Sequence, residues 1–309
     1  MLKKSLCLIL AVLCIAGICA CNKDPEVIDI DVNAPTEAPT TAPTDAPALT
    51  PEATEIPTEA PTEAPVETPA GPTQEPALPD GQVLWLNTMP LDLLGMSEAE
   101  AEAWFSDAVF VGDSIMLGWK NYNNAQLASN PDFFGQTHFL CEGSYGAGHA
   151  LEPVSDSSLH PLYQGQQRLL WDSIKMMEAK KVFICFGLND VAIYGVEGTA
   201  ENFRKLCDNI LKESPDAKIF IISSMYLIDD SNMKALTNAN LRKLNGLLRG
   251  LCDEKGFKFV DIASHLVNPD GYLKAEYCSD NYVHQTTAAY VVWAQILRSV
   301  AAYDMTYGK

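Results

Sequence analysis

The stretch Val182-Phe-Ile-Cys-Phe186 is a run of five apolar residues without polar alternation, and Phe220-Ile-Ile-Ser223 is similar to it. A strand with one face in water alternates apolar and polar side chains, whereas a strand covered on both faces does not. Short runs rich in β-branched and aromatic residues favour strands over helices. The two stretches therefore predict buried strands of a parallel sheet that is covered by helices.

Similar apolar runs alternate with helical patterns on both sides of this stretch. We expect strands at Ala108–Val111, Thr137–Cys141, Lys181–Phe186, Lys218–Ser223 and Lys258–Ile262. We expect helices at Ser114–Leu127, Gln166–Ala179, Ala200–Glu213, Asn232–Lys255 and Thr286–Ala302. Strands alternating with helices predict an α/β fold, here a three-layer α/β/α sandwich around a five-stranded parallel sheet. Ligands of such folds bind at the carboxyl ends of the strands.

Small, polar and ionisable residues follow the predicted strands. Gly112-Asp113-Ser114 follows the first strand, a Gly-rich loop at 142–148 follows the second, and Gly187-Leu-Asn-Asp190 follows the third. The segment Asp280-Asn-Tyr-Val-His284 precedes the last helix. Because the carboxyl ends of parallel strands share one edge of the sheet, we expect these groups to converge there.

The order and spacing of these blocks resemble the SGNH (GDSL-type) hydrolase family. That family has a GDS nucleophile turn, a glycine in a Gly-rich loop, a GxND turn and a late DxxH motif, and the resemblance covers residues 108–302. It implies the flavodoxin-like fold of the family and a serine esterase activity. Acyl transfer from an ester needs a nucleophile, a base and donors to the developing oxyanion, and these residue types supply all three.

The resemblance implies that Ser114 is the nucleophile and His284 the general base, a role that suits imidazole because it titrates near neutral pH. Asp113 would be a structural residue of the turn. The other histidines fit surface or packing positions; they are His138, His149, His160 and His265.

The acid that orients the histidine is open at this point. The family pattern places it three residues before the histidine, where this chain has Asn281, while Asp280 lies four residues before His284. Either a bulged loop brings Asp280 to the imidazole, or a backbone carbonyl orients the ring and the site is a Ser–His dyad.

The resemblance also implies an oxyanion hole made of three donors. These are the N–H of Ser114, the N–H of a glycine in the Gly-rich loop, and the side-chain amide of Asn189. Gly146 aligns best because it closes a Gly-Ser-Tyr-Gly run, and Gly143 is the second choice. Asp190 is expected to be a structural partner of its turn.

The N-terminus has the pattern of an export signal. Lys3 and Lys4 precede an apolar stretch at Ser5–Ala20, which is the length of a signal-peptide core and short for a membrane span. Ile18-Cys-Ala-Cys21 resembles the lipobox of bacterial lipoproteins, which implies a signal peptide at 1–21 and a lipid on Cys21. The alternative is an uncleaved helical anchor. Both alternatives predict a domain outside the cytoplasmic membrane, and the first predicts a lipid anchor on its outer face.

Residues 22–82 have a different composition from the rest. They hold 13 of the 19 prolines, mostly at every fourth position, and no aromatic residue. Such a segment cannot build a core, so we expect an extended, disordered tether before a hydrolase domain at 83–309. Its charge of -12 is the largest part of the net charge of -19, against -9 for the domain. A net-negative chain without a basic stripe disfavours nucleic acid as a partner.

The sequence gives no indication of a metal or cofactor. Beyond Cys21, the five cysteines Cys141, Cys185, Cys207, Cys252 and Cys278 are odd in number and lack CxxC spacing. They favour neither a disulfide framework nor a zinc site.

The predicted function is that of a surface-anchored serine esterase. We expect O-acetyl or short acyl esters as substrates, carried on a carbohydrate, because the enzyme would face the cell exterior. A lipid-acyl hydrolase or an O-acyltransferase of the same fold is an alternative, and a non-catalytic glycan-binding module is a second. Tyr145, Trp119 and Tyr282 are candidates for a sugar platform, although core packing is the more common use of such residues.

Overall fold

The computed structural model of the protein describes residues 86–308, and the expected signal segment 1–21 and tether 22–82 lie outside the described residues. The strands are β1 (Ala108–Gly112), β2 (His138–Cys141), β3 (Leu162–Tyr163), β4 (Gln166–Gln167), β5 (Lys181–Cys185), β6 (Lys218–Ile222) and β7 (Lys258–Val260). Five of them form one parallel sheet in the order β2-β1-β5-β6-β7, and β3 and β4 form a small antiparallel hairpin. The predicted α/β fold with a five-stranded parallel sheet is confirmed.

Helices flank the sheet in two groups. They are α1 (Leu91–Leu94), α2 (Glu98–Ala103), α3 (Ser114–Leu127), α4 (Ala147–Ala150), α5 (Leu170–Met176), α6 (Leu188–Glu213), α7 (Asn238–Lys255) and α8 (Thr287–Tyr307). Helices α2 and α3 pack against α8, whereas α4, α5 and α7 pack against α6. Short 3-10 helices occur at Trp104–Asp107, Phe133–Gln136, Ala263–His265 and Ala275–Tyr277. Within residues 86–308, no helix is both long enough and apolar enough to cross a membrane.

The central strands are buried on both faces, as their lack of alternation predicts. Phe183 of β5 stacks on Phe110 of β1 and on Phe220 of β6, with ring centroids 4.7 and 4.4 Å apart. All three rings are fully buried. Burying a side chain of this size stabilises the fold by roughly 1.5–3 kcal/mol relative to leaving it exposed, so the sheet forms a rigid base for the loops at its carboxyl edge.

The turn between β5 and α6 depends on Gly187. Its φ is +127°, which L-residues rarely adopt, and a Cβ there would lie 2.1 Å from the Oγ of Ser224. The Ser224 hydroxyl donates a hydrogen bond to the Phe186 carbonyl at the end of the strand run. This sharp turn starts α6 directly after the strand, so Asn189 lies at the carboxyl edge of the sheet.

Three predicted helix starts are wrong, each because of a local turn, and the last helix continues to Tyr307, beyond the expected end at Ala302. The helix expected from Gln166 begins at Leu170, since positive φ angles at Gln164 and Gly165 close the β3–β4 hairpin instead. The helix expected from Asn232 begins at Asn238, where the Thr237 side chain accepts a capping hydrogen bond. The helix expected from Ala200 begins at Leu188 and is interrupted at Gly195, whose φ is 67°. None of the five cysteines in the described part of the chain forms a disulfide.

Candidate active site

Ser114 is the first residue of α3, at the carboxyl end of β1. Asp113 is the N-cap of this helix, and its Oδ1 accepts a hydrogen bond of 2.9 Å from the N–H of Ile115. Complete burial raises the pKa of the Asp113 carboxyl to about 7, and the Ile115 hydrogen bond opposes this shift. The strand-to-helix junction therefore presents the Ser114 hydroxyl at the edge of the sheet, while Asp113 stabilises the turn behind it.

His284 lies beside Ser114, although 170 residues separate them in sequence. The distance from His284 Nε2 to Ser114 Oγ is 2.9 Å, which is hydrogen-bonding distance. The other ring nitrogen, Nδ1, lies 2.5 Å from Asp280 Oδ2. The structure thus joins Ser114, His284 and Asp280 in one line of hydrogen bonds, and the acid at the end of the line is Asp280 rather than a backbone carbonyl.

The extra residue in the Asp280–His284 turn is accommodated by the backbone. Asn281 adopts a left-handed conformation with a φ of 57°, which Asn tolerates better than most residues. Oδ1 of Asp280 accepts hydrogen bonds of 2.9, 2.9 and 3.1 Å from the N–H groups of Tyr282, Val283 and His284. These bonds fold the side chain back into its own loop and leave Oδ2 for the imidazole.

The charge of Asp280 determines the tautomer of His284. Partial burial opposes ionisation, but the hydrogen bonds from His284 and from the loop N–H groups lower the pKa of Asp280 to about 2. An ionised carboxylate only accepts hydrogen bonds, so Nδ1 of His284 carries a proton and donates it to Asp280. In the neutral ring, Nε2 then has a free lone pair facing the Ser114 hydroxyl, as a general base requires.

Asn189, in the first turn of α6, reaches toward Ser114 from the neighbouring strand end. Its Nδ2 donates to the carbonyl oxygen of Tyr145 at 3.0 Å and to Oδ2 of Asp113 at 3.3 Å. Both amide hydrogens are therefore directed at protein acceptors. For Asn189 to donate a hydrogen bond to a substrate oxygen, its longer bond, which goes to Asp113, would have to be shared or broken.

The Gly-rich loop is fixed by Asp190. Its carboxylate accepts hydrogen bonds from the N–H groups of Ala147 at 3.1 Å and Gly148 at 2.9 Å. Burial raises the pKa of Asp190, and these two hydrogen bonds oppose that shift. A Cβ at Gly146 would lie 2.6 Å from the same carboxylate, so only glycine fits at that approach. Asp190 thus has a structural role, as the sequence predicts, but these two partners lie in the Gly-rich loop rather than in its own turn.

The two candidate glycines differ in position and in their hydrogen bonds. Gly143 lines the cleft at Ser114, but its N–H donates to the Glu142 side chain at 3.1 Å. Gly146 is buried at the start of α4. Among the hydrogen bonds of residues 86–308, none uses the N–H of Gly146 or of Ser114 as donor. Both N–H groups therefore lack a protein acceptor in the described chain, although of the two glycines only Gly143 lines the cleft.

A cleft of about 630 Å³ opens over Ser114. Its polar lining consists of Ser114, Gly143, Ser144, His149, Asn189, Tyr282 and His284. Its apolar lining is aliphatic and consists of Leu159, Leu188, Ala192, Ile193, Leu236 and Val283. Among the described residues, no lysine, arginine or carboxylate lines the cleft, so it suits an uncharged ligand.

The aromatic residues suggested as a sugar platform, and the histidines other than His284, differ in whether they are buried or line the cleft. Trp119 and Tyr145 are fully buried, and only Tyr282 lines the cleft. His160 is also buried, whereas His149 packs beside Tyr145 and in addition lines the cleft. No spacing in the sequence distinguishes His149 from the other histidines, because loop geometry brings it to the site. Cys21 lies outside the described residues, and within 86–308 no cluster of three or more His, Cys, Asp or Glu could hold a metal ion.

Two solved structures are similar to this chain at low sequence identity. A GDSL-like lipase from Bacteroides thetaiotaomicron is 16% identical, with a TM-score of 0.46 over 64% of this chain and 88% of that one. A catalytic mutant of an acetylxylan esterase from Geobacillus stearothermophilus is 14% identical, with a TM-score of 0.45 over 62% of this chain and 93% of that one. Likeness at this level says nothing about activity or substrate.

No curated protein matches the chain at a significant level. The model of the GDSL-like lipase/acylhydrolase family matches residues 110–292, which is more than half of the chain. This range contains the GDS turn, the Gly-rich loop, the GxND turn and the Asp280–His284 loop. The chain therefore belongs to the GDSL-like lipase/acylhydrolase family.

Proposed function

We propose that the protein is a serine esterase that forms an acyl-enzyme on Ser114. The observation that carries this proposal is the line of hydrogen bonds from Ser114 through His284 to Asp280. His284 Nε2 takes the hydroxyl proton as Oγ attacks the ester carbonyl, and it returns the proton to the departing alcohol. A water molecule activated by the same nitrogen then attacks the acyl-enzyme, which releases the acid and frees Oγ.

Three donors would stabilise the negative charge that develops on the carbonyl oxygen. They are the N–H groups of Ser114 and Gly146 and the Nδ2 amide of Asn189. The tetrahedral intermediate carries a full negative charge, which a neutral carbonyl does not. An oxyanion can therefore draw the Asn189 amide from its 3.3 Å bond to Asp113. This donor would then act more strongly in the transition state than in the bound substrate.

Substituting the two loop glycines tests whether catalysis depends on the position of the Gly146 backbone. In Gly146→Ala the new Cβ would meet the Asp190 carboxylate at 2.6 Å, so the loop must shift and its N–H moves. We expect kcat to fall about 10²–10³-fold, the usual loss for one oxyanion donor. Gly143→Ala has no heavy atom within 4 Å of the new Cβ, and we expect less than a tenfold loss. Esterase kinetics and thermal melts of both variants would check this, and an unchanged kcat in Gly146→Ala would contradict Gly146 as a donor.

As substrates we propose O-acetyl or short acyl esters on a carbohydrate. The polar lining of the cleft, which includes Ser144, His149 and Tyr282, supports an alcohol group that can form hydrogen bonds. The absence of charged side chains from the lining supports a neutral ester.

A lipid-acyl hydrolase is the second candidate, and one observation favours it. Leu159, Ile193 and Leu236 belong to an aliphatic lining contributed by several residues of the cleft, and Ile193 is 60% exposed. Covering such a surface with an acyl chain would contribute about 0.8 kcal/mol per buried methylene. An O-acyltransferase would use the same acyl-enzyme with a sugar hydroxyl in place of water.

A chain-length series separates these candidates. We expect the protein to hydrolyse p-nitrophenyl acetate and butyrate with higher kcat/KM than the octanoate, measured as p-nitrophenol release. A preference for the octanoate would favour the lipid-acyl hydrolase. Transfer of acetyl to an added oligosaccharide, detected by mass spectrometry, would identify a transferase. If the folded protein turned over none of these esters, a glycan-binding module would replace the esterase.

We further propose that Cys21 carries a lipid that holds the protein on the outer face of the cytoplasmic membrane. The basic start, the apolar stretch and the lipobox-like Ile18-Cys-Ala-Cys21 support this proposal. The proline-rich sequence at 22–82 would then act as a spacer between the anchor and the domain at 83–309. Labelled palmitate is expected in the wild-type protein and not in Cys21→Ala, and incorporation that persists in the variant would refute the anchor.

A further inference from the structure

A second imidazole faces the cleft beside the proposed catalytic residues. His149 belongs to α4, which follows the Gly-rich loop, and it lines the same cleft as Ser114, Asn189 and His284. The hydrolytic steps proposed above assign it no role. Its surroundings nevertheless bury one ring nitrogen and leave the other for a ligand.

The ring of His149 rests on a buried support. It lies nearly parallel to Tyr145, with ring centroids 6.5 Å apart and an interplanar angle of 21°. The Tyr145 hydroxyl is 3.1 Å from Nδ1 of His160, and Nε2 of His160 is 2.9 Å from the Glu152 carbonyl. A carbonyl only accepts, so His160 Nε2 donates to Glu152 and Nδ1 accepts from Tyr145. Tyr145 and His160 are fully buried, so this support is rigid.

Burial determines which ring nitrogen of His149 carries the proton. Nδ1 is buried and has no hydrogen-bond partner among the described residues. A buried N–H without an acceptor is costlier than a buried lone pair, so the neutral ring has its proton on Nε2. A doubly protonated His149 ring also carries a proton on Nε2. Nε2 makes no hydrogen bond within residues 86–308 and is not among their buried unpartnered atoms, so it presents a donor that solvent or a ligand can reach.

The chemistry of an ester limits what this donor can bind. The acyl half of an acetyl or fatty ester has one polar atom, the carbonyl oxygen, which the donors of Ser114, Gly146 and Asn189 would hold. A further N–H donor in the cleft therefore has an acceptor only in the alcohol half. On the basis of the proposed esterase function, we propose that His149 Nε2–H binds a hydroxyl or ether oxygen of the alcohol half. The substrate would then be an ester of a polyhydroxy alcohol, that is, a sugar or a glycerol.

Two variants of His149 test this proposal on three acetyl esters. His149→Phe keeps a flat ring on Tyr145 but removes the donor, whereas His149→Gln keeps an N–H donor. The esters are an acetylated methyl glucoside, glycerol triacetate and ethyl acetate, whose alcohol half has no second oxygen. We expect His149→Phe to lose about tenfold in kcat/KM on a polyol ester, as for one hydrogen bond, and less than twofold on ethyl acetate. His149→Gln should recover most of the loss.

The two polyol esters also distinguish the source of the alcohol. A loss confined to the glucoside indicates a sugar ester, and a loss confined to glycerol triacetate indicates a glycerol ester. The acetyl-enzyme no longer contains the alcohol half. Its decay after loading with p-nitrophenyl acetate should therefore be unchanged in both variants, whereas general damage to the site would slow it.

Two results would overturn the proposal. One is an equal loss on ethyl acetate, and the other is no loss on either polyol ester. A wild-type protein inert toward all three esters would instead refute the esterase function, and this inference with it. Thermal melts of both variants establish that a loss reflects the missing donor, and His149→Gln keeps the comparison valid if His149→Phe is unstable.

Discussion

Replacing Ser114 with alanine is expected to lower kcat/KM for p-nitrophenyl acetate by about 10⁴-fold or more, the scale of loss when a catalytic serine is removed. The Oγ of Ser114 is the atom that would attack the carbonyl, and it contacts His284 Nε2 at 2.9 Å. No other hydroxyl among the described residues lies within hydrogen-bonding distance of that nitrogen. Activity should be measured as initial rates of p-nitrophenol release by purified wild-type and variant protein.

The fold should tolerate this substitution. The helix cap at this end comes from Asp113, whose Oδ1 accepts from Ile115, so alanine at 114 removes no cap. Ser129→Ala is a matched control at the other end of the same helix, where the hydroxyl bonds only to Gln126 within the described chain. It should retain full activity. A Ser114→Ala variant with more than a tenth of wild-type activity and an unchanged melting temperature would contradict the assignment.

Replacing Asp280 with asparagine is expected to lower kcat/KM by about 10³–10⁴-fold, the loss typical of a triad histidine held in the wrong tautomer. Asparagine can still accept the three loop N–H bonds through its carbonyl oxygen. Its NH₂ group, however, would face His284 Nδ1 and turn that nitrogen into an acceptor. The ring proton would then lie on Nε2, which could no longer take the proton of Ser114. The same p-nitrophenyl acetate assay would measure the loss.

Asn281 provides the control, because the family pattern places the acid at that position. Its φ of 57° suits glycine, so Asn281→Gly keeps the loop conformation. We expect activity within twofold of wild type. The assignment of Asp280 would be wrong if Asp280→Asn kept its activity, or if Asn281→Gly lost as much as Asp280→Asn.

The fold could be predicted because its signals are local and strong. Buried strand runs such as Val182-Phe-Ile-Cys-Phe186 cannot serve as half-exposed strands, and turn residues follow them directly. The helix boundaries were harder to predict, because single residues decided them. A left-handed Gln164 and Gly165 turned an expected helical segment into a hairpin, and the Thr237 cap delayed the start of α7.

Some residues of the candidate site could likewise be predicted from the sequence, and others could not. Ser114, Asn189 and His284 lie on segments adjoining strands or helices, and their types and order indicate their roles. Sequence reasoning left open whether Asp280 or a backbone carbonyl contacts His284. The answer depends on the loop conformation, in which Asn281 is left-handed. His149 was out of reach of sequence reasoning, since its exposed Nε2 results from packing on Tyr145 and from the burial of Nδ1.

The aliphatic side of the cleft is a further feature that spacing does not reveal. Leu159 comes from the loop before β3, Ile193 from α6 and Leu236 from the loop before α7. Segments far apart in sequence meet there only because the sheet order brings their loops to one edge. Acyl-chain preference therefore has to be measured, whereas the proposal of Ser114 as nucleophile follows from the strand end on which it lies.

Covalent labelling of the purified protein with diisopropyl fluorophosphate, followed by intact-mass and peptide mass spectrometry, tests the role of Ser114 most directly. This reagent phosphorylates a serine whose hydroxyl is activated by a neighbouring base. We predict one diisopropylphosphoryl group per chain, located on Ser114, with esterase activity lost in proportion to labelling and no label on Ser114→Ala. An unlabelled Ser114 in protein that hydrolyses esters, or a label on another residue that accounts for the loss of activity, would contradict it.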